Sequence, residues 1–542
     1  MPDHSSTTAM TRDIHHSDVL IIGAGSAGCV LANRLSADSQ RTVTLIEAGG
    51  NDRHPMIRMP SAFYLPVRHR KFNWGYVSEP EPHLNNRRLL CPRGRLLGGS
   101  SSINGMVYVR GNPADFDRWQ QMGAEGWAYQ DVLPYFKKAQ HFAGQNKPHP
   151  FRGHDGPLSV TDGTLSNPLH NRFLTAAEQA GYPRRQDLND NEQEGFGPLP
   201  MTVANGIRAS TAHAYLHPVI HRKNLRVIRN ALASQILMDH HHAIGATATV
   251  GRREVRLGAN LVILCGGAIN SPQLLMLSGI GPADQLSALN IPVQQDLMGV
   301  GENLMDHLEI YIQQACTQPI SLYSDLGLFG RAKIGIEWSL TRRGLGTTNH
   351  FETGGFIRSS DTAPYPNIQF HFLPAAMQYD GSARSAQHGF QAHVGPMLPS
   401  SRGSVSLNSN NPSDPPKIQF NYMSDPTDWR VFRAAIRAAR HIFAQPAFAD
   451  VRGDEIRPGD AATSDDDLDA FIRTHAESAY HPCGTCRMGV DDQSVVTPKG
   501  QVHCMENLYV VDASIFPHIT NGNLNAPVIM LAEKIATHLG TR

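Results

Sequence analysis

The sequence predicts an α/β chain carrying an antiparallel α+β insertion, on three observations. Val19-Leu20-Ile21-Ile22 is a short apolar run of the kind a fully buried strand needs, and it leads directly into Gly23-Ala-Gly25-Ser-Ala-Gly28 and a helical spacing of apolar residues. Buried-strand runs return in the middle of the chain and near its C-terminus, so the two chain ends read as parts of one domain. Between them, roughly 310–475 holds short alternating runs, the period-2 pattern of strands with one face on a core.

In order along the chain, a polar Ser/Thr/His-rich tail over 1–17 is expected to be mobile, and the first strand is expected to open at Asp18. Cys29–Leu35 has helical spacing, and Thr42–Ile46 reads as a second strand ending at Glu47, which completes a Rossmann-like βαβ unit. Asn224–Ala248 reads as a hairpin turning at Asp239-His-His-His242, followed by a buried strand at Ala259–Cys265 and a helix at Ser271–Leu277. In the insertion, Ile368–Phe372 and Gly403–Leu407 read as strands and Trp429–Phe443 as a helix. Asn507–Val511 is a late strand, and Val528–His538 has the apolar spacing of a closing helix.

Composition excludes several function classes. With 48 basic and 48 acidic residues the net charge is zero, so no global field favours nucleic acid or another long polyanion. No 18-residue apolar run occurs and Met1–Asp18 lacks an apolar core, so neither a transmembrane segment nor a secretory leader is expected, and the expected location is cytoplasmic. Seven scattered cysteines suit a reducing compartment without a disulfide framework. Cys483-Gly-Thr-Cys486 lacks a partner pair or a thioredoxin-like context, and His240-His241-His242 lies at a hairpin tip, so no metal site is expected at either.

The glycine motif carries the first chemical signal. It follows a strand, opens a helix and is trailed by Glu47, 24 positions after Gly23, which is the setting of a dinucleotide site. Gly23, Gly25 and Gly28, with Ser26 and Ala27 between them, allow the tight turn and close phosphate approach, the helix N-terminus stabilises the phosphate charge, and Glu47 can accept from ribose hydroxyls. The same fingerprint serves NAD and FAD. A second signal is Arg93-Gly-Arg-Leu-Leu-Gly98-Gly99-Ser100-Ser-Ser-Ile103-Asn104-Gly105-Met106, whose small residues expose backbone able to lie against a flat ring.

That stretch resembles the first signature of the glucose–methanol–choline (GMC) family of FAD oxidoreductases, and Gly267-Ala-Ile-Asn-Ser-Pro-Gln-Leu-Leu-Met-Leu-Ser-Gly-Ile-Gly281 resembles the second. His481-Pro-Cys-Gly-Thr-Cys-Arg-Met-Gly489, Val511-Asp-Ala-Ser514 and Asn523-Leu-Asn525 are similar to its C-terminal motifs, and the resemblance spans residues 18 to 540. It implies a GMC fold with a discontinuous FAD domain over 18–160, 200–312 and 480–542, and an antiparallel-sheet substrate domain over 161–199 and 313–479. It implies an FAD site at Gly23 to Gly28, Glu47, Ala48, Gly98, Gly99, Ser100, Asn104, Gly105, Met106, Val107, Ala233, Asp512, Ala513 and Asn523. His481 is implied as the base that takes the alcohol proton, and Asn525 as the donor to the substrate oxygen. Covalently flavinylated relatives carry His where this chain has Ile103, so FAD is expected to be non-covalent.

Within the family the likeness narrows to the bacterial choline dehydrogenases, through Asn85-Asn-Arg-Arg88, Asp306-His-Leu-Glu309 and Asn349-His-Phe-Glu-Thr-Gly-Gly-Phe356. The implied reaction is choline to betaine aldehyde, with Glu309 facing the trimethylammonium, Tyr480 adding an aromatic face and His371 in the substrate pocket. Two departures thin the expected cage: Leu328-Phe329 stands where that group has two tryptophans, and Ala315 where it has a second glutamate. Electrons are expected to pass to a quinone-like or respiratory acceptor, with peripheral contact at an inner membrane. The alternatives are a dehydrogenase of neutral aliphatic or aryl primary alcohols, a flavin-containing lyase of the same fold, a non-catalytic flavin binder and an NAD enzyme.

Overall fold

The computed structural model describes residues 13–143, 149–378 and 387–541. Seven strands form the first sheet; six run edge to edge as Leu225–Arg229, Val43–Glu47, Asp13–Ile22, Arg253–Leu264, His242–Val250 and Ala231–Asp239, and Leu508–Val510 pairs with Arg253–Leu264 off this path. The long Arg253–Leu264 strand pairs antiparallel with the hairpin through Arg253–Gly258 and parallel with Leu508–Val510 through Val262–Leu264. Val19 to Ile22 are buried on both faces, as the central strand of a parallel core requires. The first strand begins at Asp13, five residues ahead of the expected start, and Asp13, His16 and Ser17 continue the ladder to Arg256, Gly258 and Ala259. The rest of the expected tail, 1–12, lies outside the described residues. Leu225–Arg229 is a separate strand parallel to Val43–Glu47 rather than an arm of the hairpin, which comprises Ala231–Asp239 and His242–Val250 with exposed His240 and His241 at its tip.

Helices Ser26–Leu35 and Asn525–Gly540 pack together on this sheet. Arg34 Nη2 lies 2.6 Å from Oε1 of the fully buried Glu533, and Tyr215 donates to the same oxygen at 3.0 Å. Lys138 Nζ stands 3.3 Å from the other Glu533 oxygen, so one buried carboxylate pins the C-terminal helix to the first βα unit and to its neighbours.

The second sheet is antiparallel, in the order Arg452–Arg457, Leu308–Cys316, Gly389–Pro396, Ile368–Leu373, Thr353–Ile357 and Gly195–Pro198, with Glu477–Ser478 also on Leu308–Cys316. Its alternation sorts side chains between two environments. Leu308, Ile310, Ile312, Ile368, Phe370, Phe372, Phe390, Ala392 and Val394 share one apolar core with Phe432, Ile436 and Phe443 of the Pro426–Phe443 helix. Glu309, Tyr311, Gln369, His371, Gln391 and His393 occupy the intervening positions, and the register sets His393 opposite both Tyr311 and His371. Among the described residues, no helix is long and apolar enough to cross a membrane.

Candidate active site

One cavity of about 270 Å³ is lined from both sheets. Its floor begins at Gly23, whose φ of +105° and whose missing Cβ, which would stand 2.5 Å from the Cys265 carbonyl oxygen, admit glycine alone. A Cβ on Gly25 would meet nothing closer than 3.7 Å, and one on Gly105 or Gly267 nothing within 4 Å, so bare backbone faces the cavity at all three. Gly25 caps the Ser26–Leu35 helix with no side-chain bond and no acidic residue in the first turn. The positive end of that helix is thereby left for phosphate groups. Glu47, buried, accepts from the N–H groups of Ala24 (2.9 Å) and Gly49 (2.8 Å), and desolvation pushes its carboxyl up to about 7. Asp512 accepts from Gly267 N (2.7 Å) and Ser271 Oγ (2.6 Å) on one oxygen and from Ser514 N and Oγ on the other, which ties the two ends of the FAD-type signature regions together. A close-approach glycine turn, an uncapped helix start and a bare-backbone loop are the donor set an extended dinucleotide fits.

The other end of the cavity is a hydrogen-bond chain whose directions are fixed. His307 Nε2 lies 3.0 Å from the Met397 carbonyl oxygen and must donate to it. Burial lowers the His307 pKa to about 3, so the ring is neutral and its Nδ1 is an acceptor. His481 Nδ1, 3.1 Å away, therefore carries the proton, and His481 Nε2 keeps its lone pair. Asn523 Nδ2 stands 3.1 Å from that nitrogen, while Asn523 Oδ1 accepts from Gln369 Nε2 at 3.3 Å and His371 Nε2 at 3.4 Å. Burial lowers His481 well below the ordinary imidazole range and His371 to about 4. The backbone that carries His481 is held by Asp306, whose carboxylate accepts from His481 N (2.6 Å), Ser478 Oγ and Tyr422 OH. Tyr480 sits at φ +65°, a conformation retained because Ser478 Oγ accepts from its N–H and Arg93 donates to its carbonyl.

All of the sequence-predicted site residues line this cavity except Gly28 and Gly98. Those two act through the backbone: a Cβ on Gly28 would stand 1.9 Å from the Gly23 carbonyl oxygen, and Gly98 turns at φ +85°. One placement is a correction. Asn525, expected beside the substrate oxygen, is the first residue of the C-terminal helix and accepts from Ser26 Oγ at 2.8 Å, at the dinucleotide end. Asn523, expected at the flavin, is the asparagine at His481. The two expected departures do not touch the cavity either: Leu328 and Phe329 are 85% and 91% exposed on an outer helix, and Ala315 is buried outside the lining.

Sequence reasoning missed His307, His393, Phe63, Trp74 and Phe351. His393 was signalled by alternation, because Phe390, Ala392 and Val394 face the core and leave Gln391 and His393 on the site face. Glu309 is buried, and His393 Nδ1 stands 3.3 Å from its Oε1, with His393 Nε2 turned to the Gln391 amide nitrogen at 2.6 Å. Phe63, Trp74, Phe351 and Tyr480 line the same space.

The comparisons with known proteins agree with this geometry. Residues 17–309 and 399–532 match the N- and C-terminal profiles of the GMC oxidoreductase family. An oxygen-dependent choline dehydrogenase of Brucella canis is 52% identical over 526 residues, 96% of this chain and 95% of that protein. Pyridoxine 4-oxidase from Mesorbium loti has a TM-score of 0.88 at 30% identity, covering 97% of this chain and 99% of its own. Formate oxidase from Aspergillus oryzae, studied for its FAD modification, has a TM-score of 0.91 at 26% identity, covering 98% and 99%. With two profiles over most of its length and a cavity built from the residues of both, this chain belongs to the GMC oxidoreductase family.

Proposed function

We propose that the protein is an FAD-dependent dehydrogenase that oxidises a primary alcohol to its aldehyde, choline to betaine aldehyde foremost, with His481 as the base and Asn523 as its partner. The observation that carries this reading is the hydrogen-bond chain from the Met397 carbonyl to Asn523, which leaves His481 Nε2 unprotonated inside the cavity. FAD, held by the Gly23–Gly28 turn, Glu47, Ala48, the Gly98–Val107 loop, Ala233 and Asp512–Ala513, supplies the hydride acceptor. Ile103 offers no nucleophile, so the flavin is held without a covalent bond. An alcohol loses hydride with difficulty unless its proton leaves in step, and His481 Nε2 is placed to take it. Asn523 Nδ2 donates to the oxygen as it becomes alkoxide-like, and His371 keeps the asparagine turned that way. A base beside an oxyanion donor has no use in a mere flavin binder, and a lyase would leave the flavin oxidised.

Glu309 supports choline as the substrate. A trimethylammonium has no N–H and is matched by a carboxylate and aromatic faces, which Glu309, Phe351 and Tyr480 supply together. The 52%-identical relative is named for the same substrate. The test is kcat/KM for choline against 3,3-dimethylbutan-1-ol, its neutral isostere; a large preference for choline supports the reading, and a preference for neutral aliphatic or aryl alcohols replaces it with the general alcohol dehydrogenase.

The domain division proposed is the FAD domain over 18–160, 200–312 and 480–542 and the substrate domain over 161–199 and 313–479. For the acceptor we favour a quinone-like molecule reached at a membrane surface. The Leu328–Thr341 helix presents Leu328, Phe329, Ile336 and Leu340 at 85%, 91%, 62% and 81% exposure, with exposed Lys333 and Arg343 beside them. Its Arg331 stacks over Tyr64, next to the cavity-lining Phe63. Exposed Glu337 lies on the same helix, so the rim holds one acid beside the cations, and it is the apolar face that suits a bilayer surface. Oxygen, for which the choline dehydrogenase relatives are named, is the second acceptor reading, and oxygen uptake against reduction of a short-chain quinone separates the two.

A further inference from the structure

On the far side of the Gly98–Val107 loop lies a second cavity, of about 550 Å³, which shares no lining residue with the first. Arg53, Arg58, Arg208, His213 and His217 line it, and Asp52 is its one acid. Asp52 is already engaged by His217 Nε2 at 3.0 Å. Arg58 has no carboxylate within ion-pair distance among the described residues.

Arg208 is the unusual member. It is 2% exposed, yet every hydrogen bond it makes goes to a neutral acceptor: Nε to the Ile57 carbonyl (2.8 Å), and Nη1 to the carbonyls of Ser101 (3.3 Å) and Asn104 (2.6 Å) and to Asn104 Oδ1 (2.8 Å). Its Nη2 is buried with no partner. A buried guanidinium without an anion is destabilising, and burial alone lowers the Arg208 pKa to about 9. Half-buried Arg58 and His213 bring further positive or neutral donors to the same space, so the cavity carries more cationic charge than Asp52 offsets.

We propose that this cavity is a binding site for a small oxyanion, a phosphate or a carboxylate, held by Arg208 and Arg58. Planar guanidinium groups match such anions through paired N–H donors. The site is coupled to the first cavity through one residue, because Arg208 grips both oxygens of Asn104, and Asn104 lines the first cavity. Occupancy would therefore stiffen the loop that carries Asn104, Gly105 and Met106. The proposal is independent of the alcohol reading, since the two cavities share no lining residue and their ligands differ.

The test is calorimetric titration of FAD-saturated holoprotein with inorganic phosphate and, separately, with propionate, at constant ionic strength set by chloride. Saturable binding of about one anion per chain, weakened at least tenfold in Arg58→Gln, supports the site, and the anion that saturates identifies the source. Arg208→Lys, which keeps the charge and loses the fork, should weaken it as well, with a shift in the flavin absorbance envelope on anion addition that is present in the wild type and absent in the variant. Arg58→Gln folding normally and binding either anion as the wild type does, or no saturable binding in the wild type, overturns the proposal.

Discussion

His481 Nε2 holds its lone pair because three neighbours leave no other arrangement: a carbonyl that only accepts, an imidazole buried neutral, and an amide nitrogen that only donates. His481→Ala is expected to keep FAD and to lose flavin reduction by alcohol by about 10²–10⁴-fold, the range for a general base; rapid anaerobic mixing measures it. The asparagines divide cleanly. Asn523→Ala is expected to slow the same step by about 10²-fold, as loss of one oxyanion donor does, whereas Asn525→Ala is expected to weaken FAD retention with the step itself nearly unchanged. Glu309→Gln is expected to raise KM for choline far more than KM for 3,3-dimethylbutan-1-ol, and equal effects would remove Glu309 from substrate recognition. Most of this site was legible as residue types at motif spacing. What was not legible was which asparagine of Asn523-Leu-Asn525 meets the histidine, because that depends on where the last helix starts: Asn525 is its first residue and turns back to Ser26, while Asn523 lies before it.

At the scale of elements, period-2 alternation did what a helix-facing antiparallel sheet needs, placing Ile368, Phe370 and Phe372 in the core and His371 at the site from one short run. The same pattern fails where a single residue changes the direction of the chain. Asn230, at φ +54°, separates Leu225–Arg229 from Ala231–Asp239, so the apparent arm of one hairpin is a parallel strand beside Val43–Glu47. The strand at Asp13–His16 was missed for another reason: Asp13, His15 and His16 give no apolar run, and it is the pairing with Arg256 and Gly258 that makes the segment a strand. The Leu328–Thr341 helix also escaped the sequence reading, since Leu328, Phe329, Ile336 and Leu340 face outward and Trp338 alone of its residues is buried. Leu328→Glu with Phe329→Glu is expected to abolish sedimentation with vesicles of anionic lipid while leaving alcohol-dependent flavin reduction in solution unchanged; vesicle binding that survives the double substitution would move the membrane contact elsewhere.

For the molecule as a whole, burial of titratable groups sets an acid limit on stability. His170, His307 and His518 are lowered to about 3 and His350 and His371 to about 4, all by desolvation, with His481 lowered as well. Below the unfolded value near 6.5 the unfolded chain binds these protons and the folded chain does not, so this stability is lost as pH falls. Glu47, Glu81 and Asp115, raised to about 7, act in the opposite direction, because the folded chain holds their protons up to that pH. Asp162, Asp190, Glu302, Asp306 and Asp512 are raised as well, so carboxyls and imidazoles oppose one another near pH 6; below the unfolded carboxyl values near 4 only the imidazoles still act, and the midpoint of thermal unfolding of the holoprotein is expected to fall between about pH 4.5 and pH 3.5. A midpoint constant or rising over that interval would mean that the histidines are not buried neutral.

The central claim, that an unprotonated His481 activates an alcohol beside FAD, is tested most directly by anaerobic mixing of holoprotein with choline while flavin absorbance is followed. The account predicts that the oxidised flavin band bleaches in the wild type, and that in flavin-loaded His481→Ala it does so at least about a hundredfold more slowly. Bleaching at the wild-type rate in that variant, or an oxidised flavin that persists in the wild type with choline and with every neutral alcohol offered, would contradict it.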